Sequence, residues 1–129
     1  GRFLFHTAGI TDGKQFSCAS CHPDGGTDGI TWKFVHVKDA FGREADRNAR
    51  SLRGEIGDTA PFRWTGHDRT LDQFVDEELA GLLHSPPVSR EDRQALVRYI
   101  STLPLNPNPY RQTDGSLTEA GQRGKALFA

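Results

Sequence analysis

Cys18-Ala19-Ser20-Cys21-His22 holds both cysteines of the chain, and the two thiols lie three positions apart. A disulfide between them would close a tiny loop and stabilise little. As a zinc site the stretch is short of ligands, because structural zinc wants a second C-x-x-C or H-x-x-H pair and the sequence has neither. A thioredoxin-like redox pair would need a βαβ context. Glycines and polar residues follow instead, from Pro23 to Gly29. The spacing C-x-x-C-H is that of haem attachment. Two thiols three apart reach the vinyl groups on one edge of a porphyrin and form thioethers, and the adjacent His22 supplies an axial ligand to the iron. The sequence therefore predicts one covalent haem c per chain.

Composition bounds the rest. The chain has 129 residues, enough for one domain, and a net charge of -1, which gives no footprint for nucleic acid or an anionic membrane. Mean hydropathy is -0.61. No apolar run approaches the roughly 18 residues of a membrane span, and Phe3-Leu4-Phe5 is too short for a secretory h-region. Only 35% of residues are hydrophobic, with 14 Gly and 7 Pro, so the core is thin and a large apolar cofactor would thicken it.

Outward from the motif, Gly1 to about Gly9 reads as a short helix. From Gly25 to Gly66 little periodicity is visible, and this stretch is expected to be a long loop packed on a haem face. Thr70 opens a helix with Gln73 at capping-box spacing and an apolar stripe of Leu71, Phe74, Val75, Leu79, Leu82 and Leu83, stopped by Pro86-Pro87. Ser89 opens another, with Asp92 at the capping position and Leu96, Val97, Tyr99, Ile100 and Leu103 on its apolar face. Pro104 to Pro109 reads as a stiff linker. Gly1-Arg2-Phe3-Leu4-Phe5 is echoed by Gly124-Lys125-Ala126-Leu127-Phe128. The domain expectation is a haem domain over 1–109. Residues 110–129 would then be a linker and the start of a helix leading into a second haem domain.

The chain has no methionine, so the His/Met ligation common in small electron-transfer cytochromes is closed. The remaining histidines are His6, His36, His67 and His84. The sequence resembles the small class I bacterial cytochromes c, in which a distal methionine precedes prolines and a helix start. His84, before Ser85-Pro86-Pro87-Val88-Ser89, stands near that place. It also resembles bacterial di-haem cytochrome c peroxidases, in the pattern from Phe16 to Gly29, in Arg47 to Gly54 and in Pro61 to Gly66. In that family a loop histidine after the haem motif ligates the iron, which makes His36 the alternative distal ligand. His67 is expected to be a neighbouring or surface-turn residue, and His6 to face away.

The resemblance implies an all-α class I cytochrome c fold, with few helices around one haem and long loops. It implies electron transfer within a multi-haem protein, with His22 and His84 as bis-His ligands. The partner would be a redox protein or a neighbouring haem domain, in a periplasmic or exported setting. The enzymatic alternative is a peroxidase-type domain with a displaceable sixth ligand, for which Glu44, Glu55 and Asp58 are only loop carboxylates. Trp32 and Trp64 are candidates to pack on the porphyrin or reach a propionate. Arg53, with Arg47, Arg50 and Arg63, is a candidate to neutralise propionates. Asp72, Asp76, Glu77 and Glu78 read as a solvated helix face or a docking patch, and Asp24 and Asp28 as turn residues or a calcium loop.

Overall fold

A computed structural model describes residues 1–38 and 44–128, with the side chains of residues 34–38 and 44–45 outside that description. Helix α1 (Arg2–His6) is one turn long and carries Phe5, whose side chain is wholly buried. Thr11 then pins the approach to the motif: its hydroxyl donates to the carbonyls of Phe16 (2.7 Å) and Ala8 (2.9 Å). Helix α2 (Cys18–Cys21) is the motif itself. The Ser17 N–H donates to Ser20 Oγ at 3.0 Å, satisfying one of the donors that a helix start leaves open.

Helix α3 (Leu71–Glu77) begins as its sequence dictates. The Thr70 hydroxyl accepts from the Gln73 N–H at 3.2 Å, and Gln73 Oε1 accepts from the Thr70 N–H at 3.2 Å. Leu71, Val75 and Leu79 recur every four residues on its buried side. At Glu78 the helix widens into a π turn over Glu78–Leu82, where the Leu83 N–H reaches back to the Glu78 carbonyl at 2.9 Å. Helix α4 (Arg90–Ser101) is capped by Ser89, which accepts from the Asp92 N–H at 3.0 Å. It buries Leu96 and Ile100 against α3. These residues, with Phe5, Leu52, Phe62 and Leu103, make the core. Helix α5 (Glu119–Phe128) contributes no buried residue.

The all-α expectation is corrected by an antiparallel hairpin. Strands β1 (Thr31–Lys38) and β2 (Glu44–Asn48) pair with Thr31 opposite Asn48, Trp32 opposite Arg47 and Lys33 opposite Asp46. The register slips between Phe34 and Lys38. The physical cause lies in Thr31-Trp32-Lys33-Phe34-Val35-His36-Val37-Lys38, a run of β-branched and aromatic residues with partial polar alternation. The fold is mixed: short helices plus this two-stranded sheet, within the region expected to be aperiodic loop.

Candidate functional site

Cys18 and Cys21 sit on one helical turn, both half-buried and neither in a disulfide. Burial, helped by the charge of Glu78, pushes the Cys18 thiol up to about 11. Burial and the nearby carboxylates of Asp28 and Glu78 raise Cys21. These are protonated structural thiols at neutral pH, unlike the depressed thiol of a redox-active pair.

His22 ends the turn. Its N–H donates to the Cys18 carbonyl at 2.9 Å, and its ring Nδ1 lies 3.2 Å from the Gly26 carbonyl. Burial lowers its pKa, partly offset by the carbonyls of Gly26 and Arg50. A neutral imidazole with Nδ1–H on a backbone carbonyl presents Nε2 as a ligand atom, the orientation a metal-bound histidine adopts. Gly25 makes that turn. At φ +77° its Cα lies so close to Leu103 that an added Cβ would come within 2.6 Å of Leu103 Cδ1. Its carbonyl accepts from Leu52 N–H at 2.8 Å, tying the loop to the core.

The donor set fits a thioether-bound haem. Two free thiols share one turn, and the adjacent imidazole is oriented by its backbone. Among the described residues, large apolar side chains are left about half exposed at Phe16, Ile30, Trp64 and Leu82, with Phe16 and Ile30 flanking the motif. A polar cavity of about 670 Å³ between α4 and the start of α3 includes none of the motif residues in its lining. A second, of about 410 Å³, is lined by Pro23, Gly26 and Arg53 and borders the His22 turn.

The other expected site residues divide. The Trp32 indole N–H donates to Asp28 at 2.9 Å, and Asp28 also accepts from the Ile30 N–H, so the loop carboxylate orders the motif's exit. Arg53 donates to the Pro104 carbonyl at 3.2 Å. Arg47 and Arg50 stand over the exposed Trp64 ring at 5.7 and 5.0 Å. His84 is exposed, at φ +45°, in the turn after Leu82. The His36 side chain lies outside the described residues, as does that of Glu44. His6 Nδ1 lies 2.8 Å from the Arg2 carbonyl. His67 has partners at both nitrogens, Thr65 Oγ1 at 2.6 Å and Glu77 Oε2 at 3.1 Å.

One grouping is absent from the sequence-based expectations. Arg63, itself in the left-handed region at φ +66°, donates from Nε to the buried Asp68 and from Nη1 to Glu78 at 2.5 Å, and lies 3.4 Å from Glu77. Its guanidinium stands over Phe74. Nothing in the spacing of Arg63, Asp68, Glu77 and Glu78 announces this cluster, because a left-handed turn is needed to bring Arg63 back onto α3.

No protein-family model matches the chain. It is 32% identical over a 139-residue alignment to the gamma subunit of hydrazine synthase from Kuenenia stuttgartiensis, which covers 99% of this chain and 38% of that protein. A structure of Kuenenia stuttgartiensis hydrazine synthase pressurised with 20 bar xenon has a TM-score of 0.75 and 31% identity, covering 98% of this chain and 42% of that one. The chain thus spans less than half the length of either relative. These likenesses overturn the resemblance to class I cytochromes c and di-haem peroxidases. With it go the electron-carrier function, its bis-His and multi-haem description, and the peroxidase alternative. The relative is a subunit of a synthase, an enzyme of several subunits. Among the described residues no helix is long and apolar enough to cross a membrane.

Proposed function

We propose that this chain is a haem-bearing portion of a hydrazine synthase gamma-type subunit, working within a multi-subunit enzyme that forms hydrazine. The observation that carries the assignment is a match to that subunit across 99% of a chain whose C-x-x-C-H turn keeps both thiols free and pins its imidazole. Cys18 and Cys21 would tether one haem c and His22 would ligate its iron. Bound there, the group supplies redox-active iron to nitrogen chemistry. The protein's own part is to hold the thiols protonated until attachment, to fix the His22 tautomer through the Gly26 carbonyl, and to offer apolar side chains that exclude water. Trp32, Arg53 and Trp64 would be the candidate contacts to the macrocycle and its propionates. Assembly partners would be the other subunits of such an enzyme. Thioether attachment of a haem would favour a periplasmic or exported setting.

The repeated G-[RK]-x-L-F supports a further unit after residue 109. In α1 the phenylalanine is fully buried, whereas Phe128 in α5 is 99% exposed. The testing experiment is expression in a host that makes thioether-linked haem, followed by intact mass and visible spectra of the wild type, Cys18→Ser, Cys21→Ser and the double variant. One covalently added haem, lost from the double variant, is the expected result. A wild type with no added mass and no Soret band would overturn the assignment.

A further inference from the structure

Away from the cysteine turn, three side chains converge where the loop before α3 folds back on the end of that helix. His67 and Asp68 come from the loop, and Glu77 is the last residue of α3. His67 Nε2 lies 3.1 Å from Glu77 Oε2 and 3.3 Å from Asp68 Oδ1, and the three donor atoms all fall within 4.8 Å of one another. Ligands held at about 2.1 Å from zinc stand about 3.0–3.4 Å apart across an edge of its coordination shell. The two edges at His67 are already of that length. The backbone closes the loop at this point, because the Phe62 N–H donates to the Asp68 carbonyl at 2.9 Å. Asp68 is 1% exposed, and its Oδ2 is taken by Arg63 Nε, which leaves Oδ1 turned to His67.

We propose that His67 Nε2, Asp68 Oδ1 and Glu77 Oε2 bind a divalent transition-metal ion of the zinc class, with water completing its shell. Thr65 Oγ1, 2.6 Å from His67 Nδ1, is placed to accept from an Nδ1–H. That tautomer leaves Nε2 as a lone pair facing two carboxylate oxygens, an arrangement that repels unless a cation sits between them. One N–H on Nε2 serves one carboxylate well, whereas a metal ion takes all three donors at once. Arg63 grips Asp68 and Glu78 through oxygens outside the ligand set. With Glu77 also beside it, one guanidinium meets three carboxyl groups, and a dication redresses the excess of negative charge. A separate observation points the same way. Arg63 Nη2 is wholly buried, 3.4 Å from Glu77 Oε2, and donates a hydrogen bond to nothing. A water on the ion would be the acceptor that this buried donor lacks. The imidazole in the donor set favours zinc over the hard ions calcium and magnesium. The bound ion would fasten the loop that carries Trp64 onto α3. None of its ligands belongs to the Cys18–Cys21–His22 turn, so the site stands independently of the haem assignment.

The test is zinc binding by isothermal titration calorimetry, with the metal content counted by elemental analysis after desalting. It is run on the haem-loaded full chain and on the Cys18→Ser/Cys21→Ser variant, in which no thiol can capture the ion. A single zinc per chain is the expected result in both. His67→Gln and Glu77→Gln should each weaken binding by more than about tenfold. Both residues are exposed, so these variants should keep the fold, which far-UV circular dichroism checks. Asp72→Asn, at an exposed acid of the same helix outside the cluster, should bind zinc as the wild type does. Zinc should raise the melting temperature of the wild type and not that of His67→Gln. In the Cys18→Ser/Cys21→Ser variant, zinc should also move the imidazole resonances of His67 and leave those of His6 and His84 in place. Absence of binding, or binding unchanged by His67→Gln and Glu77→Gln, would overturn the proposal; His67 then shares a proton with the carboxylates in place of an ion. A wild type that takes up no haem, beside a Cys18→Ser/Cys21→Ser variant that binds zinc through His67, fails the haem assignment and supports the metal site.

Discussion

Phe3 and Phe5 lie two residues apart in α1, yet one is 77% exposed and the other 0%. Phe5 meets Tyr99 of α4 edge-on at 5.2 Å between ring centroids and joins the cluster that includes Leu96 and Ile100. Truncating a fully buried phenylalanine costs about 3–5 kcal/mol, a range that includes the lost edge contact and the cavity left behind. A chain of this length has about 6–19 kcal/mol of stability in total at ordinary values per residue. Phe5→Ala therefore removes about a sixth to most of it. At about 3–5 °C per kcal/mol for a domain of this size, the melting temperature should drop by about 9–25 °C. Phe3→Ala in the same helix should shift it by less than about 2 °C. Thermal unfolding followed by far-UV circular dichroism, with urea titration to extract free energies, reads both. A Phe5→Ala cost under about 1 kcal/mol, or equal costs for the two variants, would refute the placement of α1 against α4 and with it the path by which α1 supports the cysteine turn.

Gly25→Ala should cost about 2–4 kcal/mol, from the left-handed backbone and the approach to Leu103, and should lower haem incorporation because the His22 turn must shift; urea unfolding and the Soret-to-protein absorbance ratio check both. Asp68→Ala should cost about 1–3 kcal/mol, since it removes a buried partner of the Arg63 guanidinium while Glu77 and Glu78 still compensate the charge; a loss near zero in chemical denaturation would contradict this. In haem-free protein, Cys18 at about 11 against an ordinary 9.0 has about a hundredfold less thiolate near pH 8, so iodoacetamide should label Cys21 first; peptide mass mapping over time would show the order. The His22 pKa is depressed by burial, so the unfolded chain binds the proton more readily: haem-free stability should be full above pH 6.5 and fall as the pH drops below it. His22→Gln should flatten that part of a stability-against-pH curve.

The parts legible in the sequence are those governed by neighbours along the chain. Thr70 with Gln73, and Ser89 with Asp92, form the caps their spacing predicts. The stripe through Leu71, Val75 and Leu79 is buried because a helix brings every fourth residue to one face. The stripe also mispredicts at its end. Leu82 is 44% exposed, since the π turn rotates the helix out of its 3.6-residue period before Leu82 is reached. The hairpin escapes sequence reading for a different reason. Its alternation changes phase at the adjacent apolar pair Phe34-Val35, the register itself slips between Phe34 and Lys38, and strand pairing depends on a partner that local periodicity does not identify.

The candidate site shows the same division in sharper form. Cys18, Cys21 and His22 are near neighbours in the chain and become one turn, so their order along the sequence is enough to announce their chemistry. Glu78 reads in sequence as one of four acids on a solvated helix face, and for Asp72, Asp76 and Glu77 exposure agrees with that expectation. Glu78 departs from it because of two features that no local pattern encodes: a left-handed Arg63 reaching across 15 positions, and a widened turn anchored through Ser85 to Ile10. The chemistry that names a cofactor is local. The electrostatics of Glu78 depend on the tertiary fold, where burial raises its pKa while Arg63, fifteen positions earlier, pulls it down.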